Sequence, residues 1–195
     1  MKTKQLVKFS LLPCLAVMLT QVAVVPAHGA ESNEGRGQFT ASDYKFARDA
    51  ARGGMFEVNL GNLALSTSKN TGVQQFGQRM VTEHRQAGQN LQQIASRKNA
   101  TLPTEVSSHQ QKEVDRLSKL SGPEFDKAYV MVMIKAHKAD EKAFKKESED
   151  GDDADLKAFA ADTLTMVRDH LKAAEDLDKT IKQEVSSNMG HQFQP

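Results

Sequence analysis

The 195-residue chain holds one cysteine, no tryptophan, five prolines and only 6% aromatic residues. A single thiol can build neither a disulfide framework nor a thiolate metal cage. Few prolines and twelve glycines exclude a collagen-like or proline-rich chain. Twenty-six Lys and Arg against twenty-five Asp and Glu leave a formal charge of +1, with no surplus to neutralise phosphates. Sparse aromatics offer no base-stacking platform, so the composition argues against a nucleic-acid partner. Glycine-rich nucleotide loops, the G-x-S-x-G elbow and the H-E-x-x-H motif are also missing. Nucleotide-enzyme and hydrolase readings therefore lack support.

What is present begins with a leader. Lys2, Lys4 and Lys8 precede an almost uncharged apolar run from Leu11 to Val25, and small-residue cleavage points follow at Val25-Pro26-Ala27 and His28-Gly29-Ala30. That arrangement predicts a signal peptide over 1–30 and an exported protein, periplasmic or associated with the cell envelope. The run is short of the ~20 residues of a membrane span, so no stable membrane insertion is expected once the leader is removed. Cys14 leaves with it. Loss of the three lysines turns the formal charge from +1 to −2.

Residues 31–40 are polar and glycine-containing and read as a flexible tether, and 186–195 as a flexible tail. Between them the apolar residues recur with a helical period and almost no strand-like alternation. The pattern predicts an all-α protein over 41–185. The first helix starts near Ser42 or Asp43 as cap and ends near Thr67, with Gly53-Gly54 as a weak point or close contact. The second runs from about Asn70 to Lys98 and stops before Pro103. A short polar helix follows over about Thr104–Lys119, then long helices from Pro123 to about Glu147 and on to about Gln183. Four long helices with a long link only in the middle match a four-helix bundle with one crossover, the ferritin-like layout. The acidic turn at Glu149–Asp153 lacks the bidentate Glu of a calcium loop and is explained as acids at a helix start.

The apolar stripes carry the functional signal. Glu57 lies on the stripe Phe46, Ala50, Gly53, Leu60, Ala64; His84 interrupts Val73, Phe76, Met80, Leu91, Ile94; His170 sits inside Leu164, Val167, Ala174, Leu177. On the third long helix Asp126, His137 and Asp140 share one face. Counting ~1.5 Å per residue from the turns puts Glu57, His84, His137 and His170 near a common height. Such a Glu/His cluster without sulfur suits zinc, copper, iron, nickel or manganese. The alternative is a non-catalytic structural or interaction module whose buried Glu/His hydrogen-bond network fixes helix packing. A third reading is a metal-dependent redox enzyme with Tyr129 beside the ion. His28, His109 and His191 read as solvated, and Met55, Met80, Met131, Met133 and Met166 as packing residues.

The segments Gly53-Gly54-Met55-Phe56-Glu57-Val58-Asn59-Leu60-Gly61, Phe76-Gly77-Gln78-Arg79-Met80-Val81-Thr82-Glu83-His84, Phe125-Asp126-Lys127-Ala128-Tyr129, the His137 helix and the Leu156–His170 stretch resemble the exported bacterial ferritin-like proteins of domain-of-unknown-function family 4142. The resemblance covers Tyr44 to about Asp178. It implies a ferritin-like four-helix bundle behind a signal peptide and gives no established reaction. The pattern carries onto Glu57, His84, Asp126, His137 and His170 as metal-site residues. Ala136 stands where an acid before the third-helix histidine is expected, which weakens a second carboxylate ligand there. No Glu-x-x-His motif is present, so ferroxidase or iron-storage activity does not transfer. The expected function is binding of a transition metal or other small ligand at this cluster, in envelope stress or metal handling.

Overall fold

In the computed structural model, residues 38–192 are described, with side chains described through Glu184 and at Ser186. The predicted signal peptide and most of the tether lie outside them. Five helices follow one another: α1 (Ala41–Thr67), α2 (Thr71–Arg97), α3 (Ser108–Leu117), α4 (Gly122–Asp150) and α5 (Ala154–Gln192). Among the described residues there is no strand. Helical backbone continues past Gln183 to Gln192, so part of the predicted tail is helix. No helix among the described residues is long and apolar enough to cross a membrane.

The helix ends follow local chemistry. Thr40, not Ser42 or Asp43, caps α1, its hydroxyl accepting from the Asp43 N–H at 3.2 Å. Asn70 caps α2 by accepting from the Val73 N–H, as the sequence suggests. Asn99 takes the left-handed conformation (φ 54°) and lets the Ala100 N–H reach back to the Ala95 carbonyl, which stops α2. Ser107 and Gln110 form a capping box that starts α3 at Ser108, later than the Thr104 suggested by polarity alone. Pro123 occupies the first turn of α4.

The contacts at the two ends set the topology. At one end Asp126, near the start of α4, accepts from the Ser68 hydroxyl in the α1–α2 turn, and Asn70 bonds Glu184 of α5. At the other, Asp43 of α1 accepts from the N–H groups of Asp152 and Asp153 at 3.2 and 3.1 Å. Lys98 there pairs with Asp153, the cap of α5, which accepts from the Leu156 N–H. Thus α1 is antiparallel to α2 and to α4, and α5 is antiparallel to α2 and α4. The segment from Lys98 to Ser121 must then traverse the length of the bundle, with α3 lying on α1 through the Gln110 amide and the Arg52 carbonyl. This is the ferritin-like four-helix bundle with its crossover.

The acidic turn is likewise structural: Asp153 caps, Asp150 pairs with Lys146, and Asp155 pairs with Arg97. Asp43 is 1% exposed, so its role is to hold this turn from within. Beside it, burial and the neighbouring Asp43 push the Glu147 carboxyl up to about 7.

The main core gathers Leu60, Phe76, Met80, Phe125, Tyr129 and Met133, and smaller clusters around Leu91, Leu156 and Phe144 fill the other half. Met131 is the exception among the predicted packing methionines, being 57% exposed. Helix α1 runs unbroken through Gly53-Gly54. The close approach of α1 and α2 occurs elsewhere: a Cβ on Gly61 would lie 2.6 Å from the Gly77 carbonyl oxygen. Gly61→Ala is therefore expected to lower the unfolding free energy by about 1–3 kcal/mol. In contrast Gly88→Ala, on an open stretch of the same pair, should raise it by about 1 kcal/mol. Urea denaturation checks both; a neutral Gly61→Ala would contradict the close packing.

Candidate metal centre

Each of the four long helices supplies one titratable side chain to a layer between the two halves of the core. His137 and His170 are fully buried, Glu57 is 2% exposed and His84 6%. These are the four residues that the stripes single out, and the folding brings them together. One ring nitrogen from each of His84, His137 and His170 lies within 4.8 Å of the others. The ring centroids are 5.2–5.7 Å apart. Phe76 closes the layer on one side, its ring 6.5 and 6.4 Å from His137 and His170.

The partners of the other ring nitrogens determine the tautomers. His137 Nδ1 lies 2.9 Å from the Met133 carbonyl, an acceptor only, so that nitrogen donates. His170 Nε2 lies 2.7 Å from a carboxylate oxygen of Glu83 and donates to it. His84 Nδ1 is 3.1 Å from Glu57 Oε2. What remains is His137 Nε2, His170 Nδ1 and His84 Nε2. The first two face each other at 3.3 Å with no proton left to place between them, and the third is buried with no hydrogen-bond partner. Two lone pairs facing each other beside a third buried imidazole make a group that could hold a metal ion.

Burial disfavours protonation of all three rings. It lowers His137 to about 4 and, with the neighbouring His137 and Arg79, His170 to about 3. His84 is held well below the ordinary imidazole value by burial and by the other two rings. Neutral imidazoles are the form that ligates metal. Burial and the adjacent Asp140 raise Glu57 well above the ordinary carboxyl value. Asp140 is itself pushed up to about 6 by burial, held back by its hydrogen bond with Glu57. The Tyr129 hydroxyl is raised by burial and by Glu57, and it lacks a hydrogen-bond partner.

Asp126 does not join the cluster. Eleven residues keep it on the face of His137 but move it ~16 Å along the helix, where it holds Ser68. The shared face holds, but the family resemblance's inclusion of Asp126 in the metal set does not fit its height. His109 is exposed, as expected, and the side chains of His28 and His191 lie outside the described set. Glu83 is the site residue that periodicity missed. It neighbours His84 in sequence but points to His170 of α5, and Arg79 donates to its other oxygen at 2.9 Å. The i, i+4 pair of Arg79 and Glu83 was visible as an ordinary surface pair; nothing local announced its third member.

The family model described as a domain of unknown function, DUF4142, matches residues 28–177. The chain belongs to the DUF4142 family. A crystal structure of a DUF305 fragment from Deinococcus radiodurans superimposes with a TM-score of 0.66 at 14% identity, covering 73% of this chain and 99% of that one. At that identity the likeness speaks for the helical fold alone. No curated protein matches the chain.

The signs of the shifts make a pH prediction for chelator-treated protein. Below the ordinary imidazole value of 6.5 the unfolded chain takes up protons that the three buried rings refuse, so stability falls as pH falls. Glu57 and Asp140 behave oppositely. Above 4.5 and 3.8 the folded chain keeps protons that the unfolded chain has released, so stability falls as pH rises toward their folded values. The melting temperature should peak in mildly acidic solution, and His170→Gln should flatten the acid limb. A steady rise from about pH 4 to about pH 8 would contradict this layer of neutral groups.

Proposed function

We propose that this DUF4142 protein is an exported transition-metal-binding bundle whose ligands are His84, His137 and His170. The carrying observation is the meeting of three buried imidazoles, one ring nitrogen of each within 4.8 Å of the others, with His137 and His170 each donating from the opposite nitrogen to a fixed acceptor. Such acceptors orient metal-binding histidines and raise their basicity, and here they are the Met133 carbonyl and Glu83, while Glu57 Oε2 stands 3.1 Å from His84 Nδ1. Glu57, level with the rings, is placed to balance the charge of the ion.

Three nitrogen donors with no sulfur favour zinc, copper, nickel or iron over manganese, which prefers oxygen. Copper(II) heads the expected affinity order. A three-histidine set leaves a coordination position for a further ligand. The apolar run Leu11–Val25 supports export, and metal handling in the envelope is the role that fits a thiol-free mature chain.

Tag-free protein titrated with zinc(II) or copper(II) should take up one ion per chain. His84→Ala combined with His170→Ala should abolish uptake while helical circular dichroism persists. Glu83→Gln should weaken affinity by about 10–100-fold, because the acceptor on His170 Nε2 loses its negative charge. Uptake indifferent to the histidine pair would sink the proposal and leave the cluster as a hydrogen-bond web that sets helix register.

A further inference from the structure

A cavity of about 820 Å³ adjoins the histidine layer on the side away from Phe76 and falls within the size range of small-molecule sites. Its mouth is formed by the exposed residues Arg85, Gly88 and Gln89 of α2, with Glu105 of the crossover. Its walls are apolar, drawn from Met55, Val58, Leu91, Leu102, Phe144 and Phe159. At its base stand Glu57, His84 and Asp140. The crossover thus acts as one wall of a pocket that ends at the candidate metal centre.

We propose that this cavity binds a small neutral organic molecule, an alcohol or phenol with an apolar body, whose hydroxyl reaches Glu57 beside the histidines. Three features of the base select the head group. Apart from the carboxyl of Asp140, no donor group serves Glu57 Oε1: the nearest ring nitrogen, His137 Nδ1 at 3.4 Å, is committed to the Met133 carbonyl, so an entering hydroxyl supplies a hydrogen bond that the bundle does not. A carboxylate or phosphate head would meet two acids with no Lys or Arg standing on either: the ionic neighbours of Glu57 are imidazoles only. A cationic head would share the apolar pocket with the metal ion, and on this single point the inference rests on the metal reading above. A hydroxyl group both donates and accepts, so it satisfies Glu57 whether or not that carboxyl holds its proton. The apolar walls then receive the rest of the molecule, whose burial supplies most of the affinity.

The test uses the full chain with and without zinc and three probes of one shape: 4-butylphenol, 4-butylbenzoate and 4-butylbenzylammonium. The phenol is expected to bind at least about 10-fold more tightly than the ammonium to the zinc-loaded chain, and at least about 10-fold more tightly than the benzoate to the zinc-free chain, where no cation stands at the base to receive a carboxylate. Intermolecular NOEs should connect it to the Met55 methyl group. Gly88→Phe places a ring in the mouth at a position where a Cβ meets nothing within 4 Å, so the helix tolerates it. That variant should weaken the phenol by about 10-fold or more while leaving zinc affinity unchanged.

Absence of phenol binding, equal binding of the ammonium to the zinc-loaded protein or of the benzoate to the zinc-free protein, or binding without contact to Met55 would overturn the proposal. Failure of zinc itself to bind reads differently: it removes the metal centre, and the phenol should still reach Met55, with only the discrimination against the ammonium lost. A phenol that enters neither form overturns the pocket whatever zinc does.

Discussion

Taking three imidazoles and a carboxyl out of water at one level of a helical bundle imposes a constraint that the surrounding structure has to meet. Each buried polar group needs a partner, and unpaired ones cost about 1–3 kcal/mol apiece. The bundle meets the demand on one side only. His137 leans on its own helix through the Met133 carbonyl, His170 on Glu83 of α2, and His84 on Glu57 of α1. The opposite nitrogens are left facing inward. A hydrophobic layer of the same size would be the cheaper solution for stability alone, so the polar layer is explained by something other than packing, and it is a group that could hold a metal ion.

That layer depends on axial register, and the ends of the bundle enforce it. The Asp43 carboxylate grips the α4–α5 turn, Lys98 ties α2 to the cap of α5, and Asp126 ties α4 to the α1–α2 turn. Between these clamps, Gly61 and Gly77 let α1 and α2 approach until backbone nearly meets backbone. A slip of one turn would move a histidine ~5.4 Å and dissolve the cluster. Ties at both ends, with a close contact between them, convert a stripe of residues into a site with definite distances.

The charge surroundings divide the layer into two parts with different chemistry. On the His170 side, Arg79 and Glu83 connect the buried ring to the surface through two short hydrogen bonds. On the Glu57 side, Asp140 and the cavity give access without any basic group at the base. A ligand entering by the cavity therefore meets acids and a histidine edge, while the guanidinium stays behind the far ring. The polarity of the site follows from which helix faces which, a matter of topology more than composition.

Much of this was readable from the chain alone. The eleven-residue spacing within stripes and the near-equal distances of Glu57, His84, His137 and His170 from their turns follow from the fixed rise of an α-helix, so helix class, crossover and the four inward residues were legible. Local capping chemistry was legible where side chain and cap are near in sequence, as at Asn70. The failures share a cause: Asp43 as a clamp on a distant turn, Asp126 as an anchor of Ser68, Glu83 as the partner of His170 and the Gly61–Gly77 contact all join residues far apart in sequence. Periodicity says which face a residue occupies and roughly how high; which atom it meets across the bundle is decided by side-chain reach and helix crossing, and those exist only once the four helices have packed.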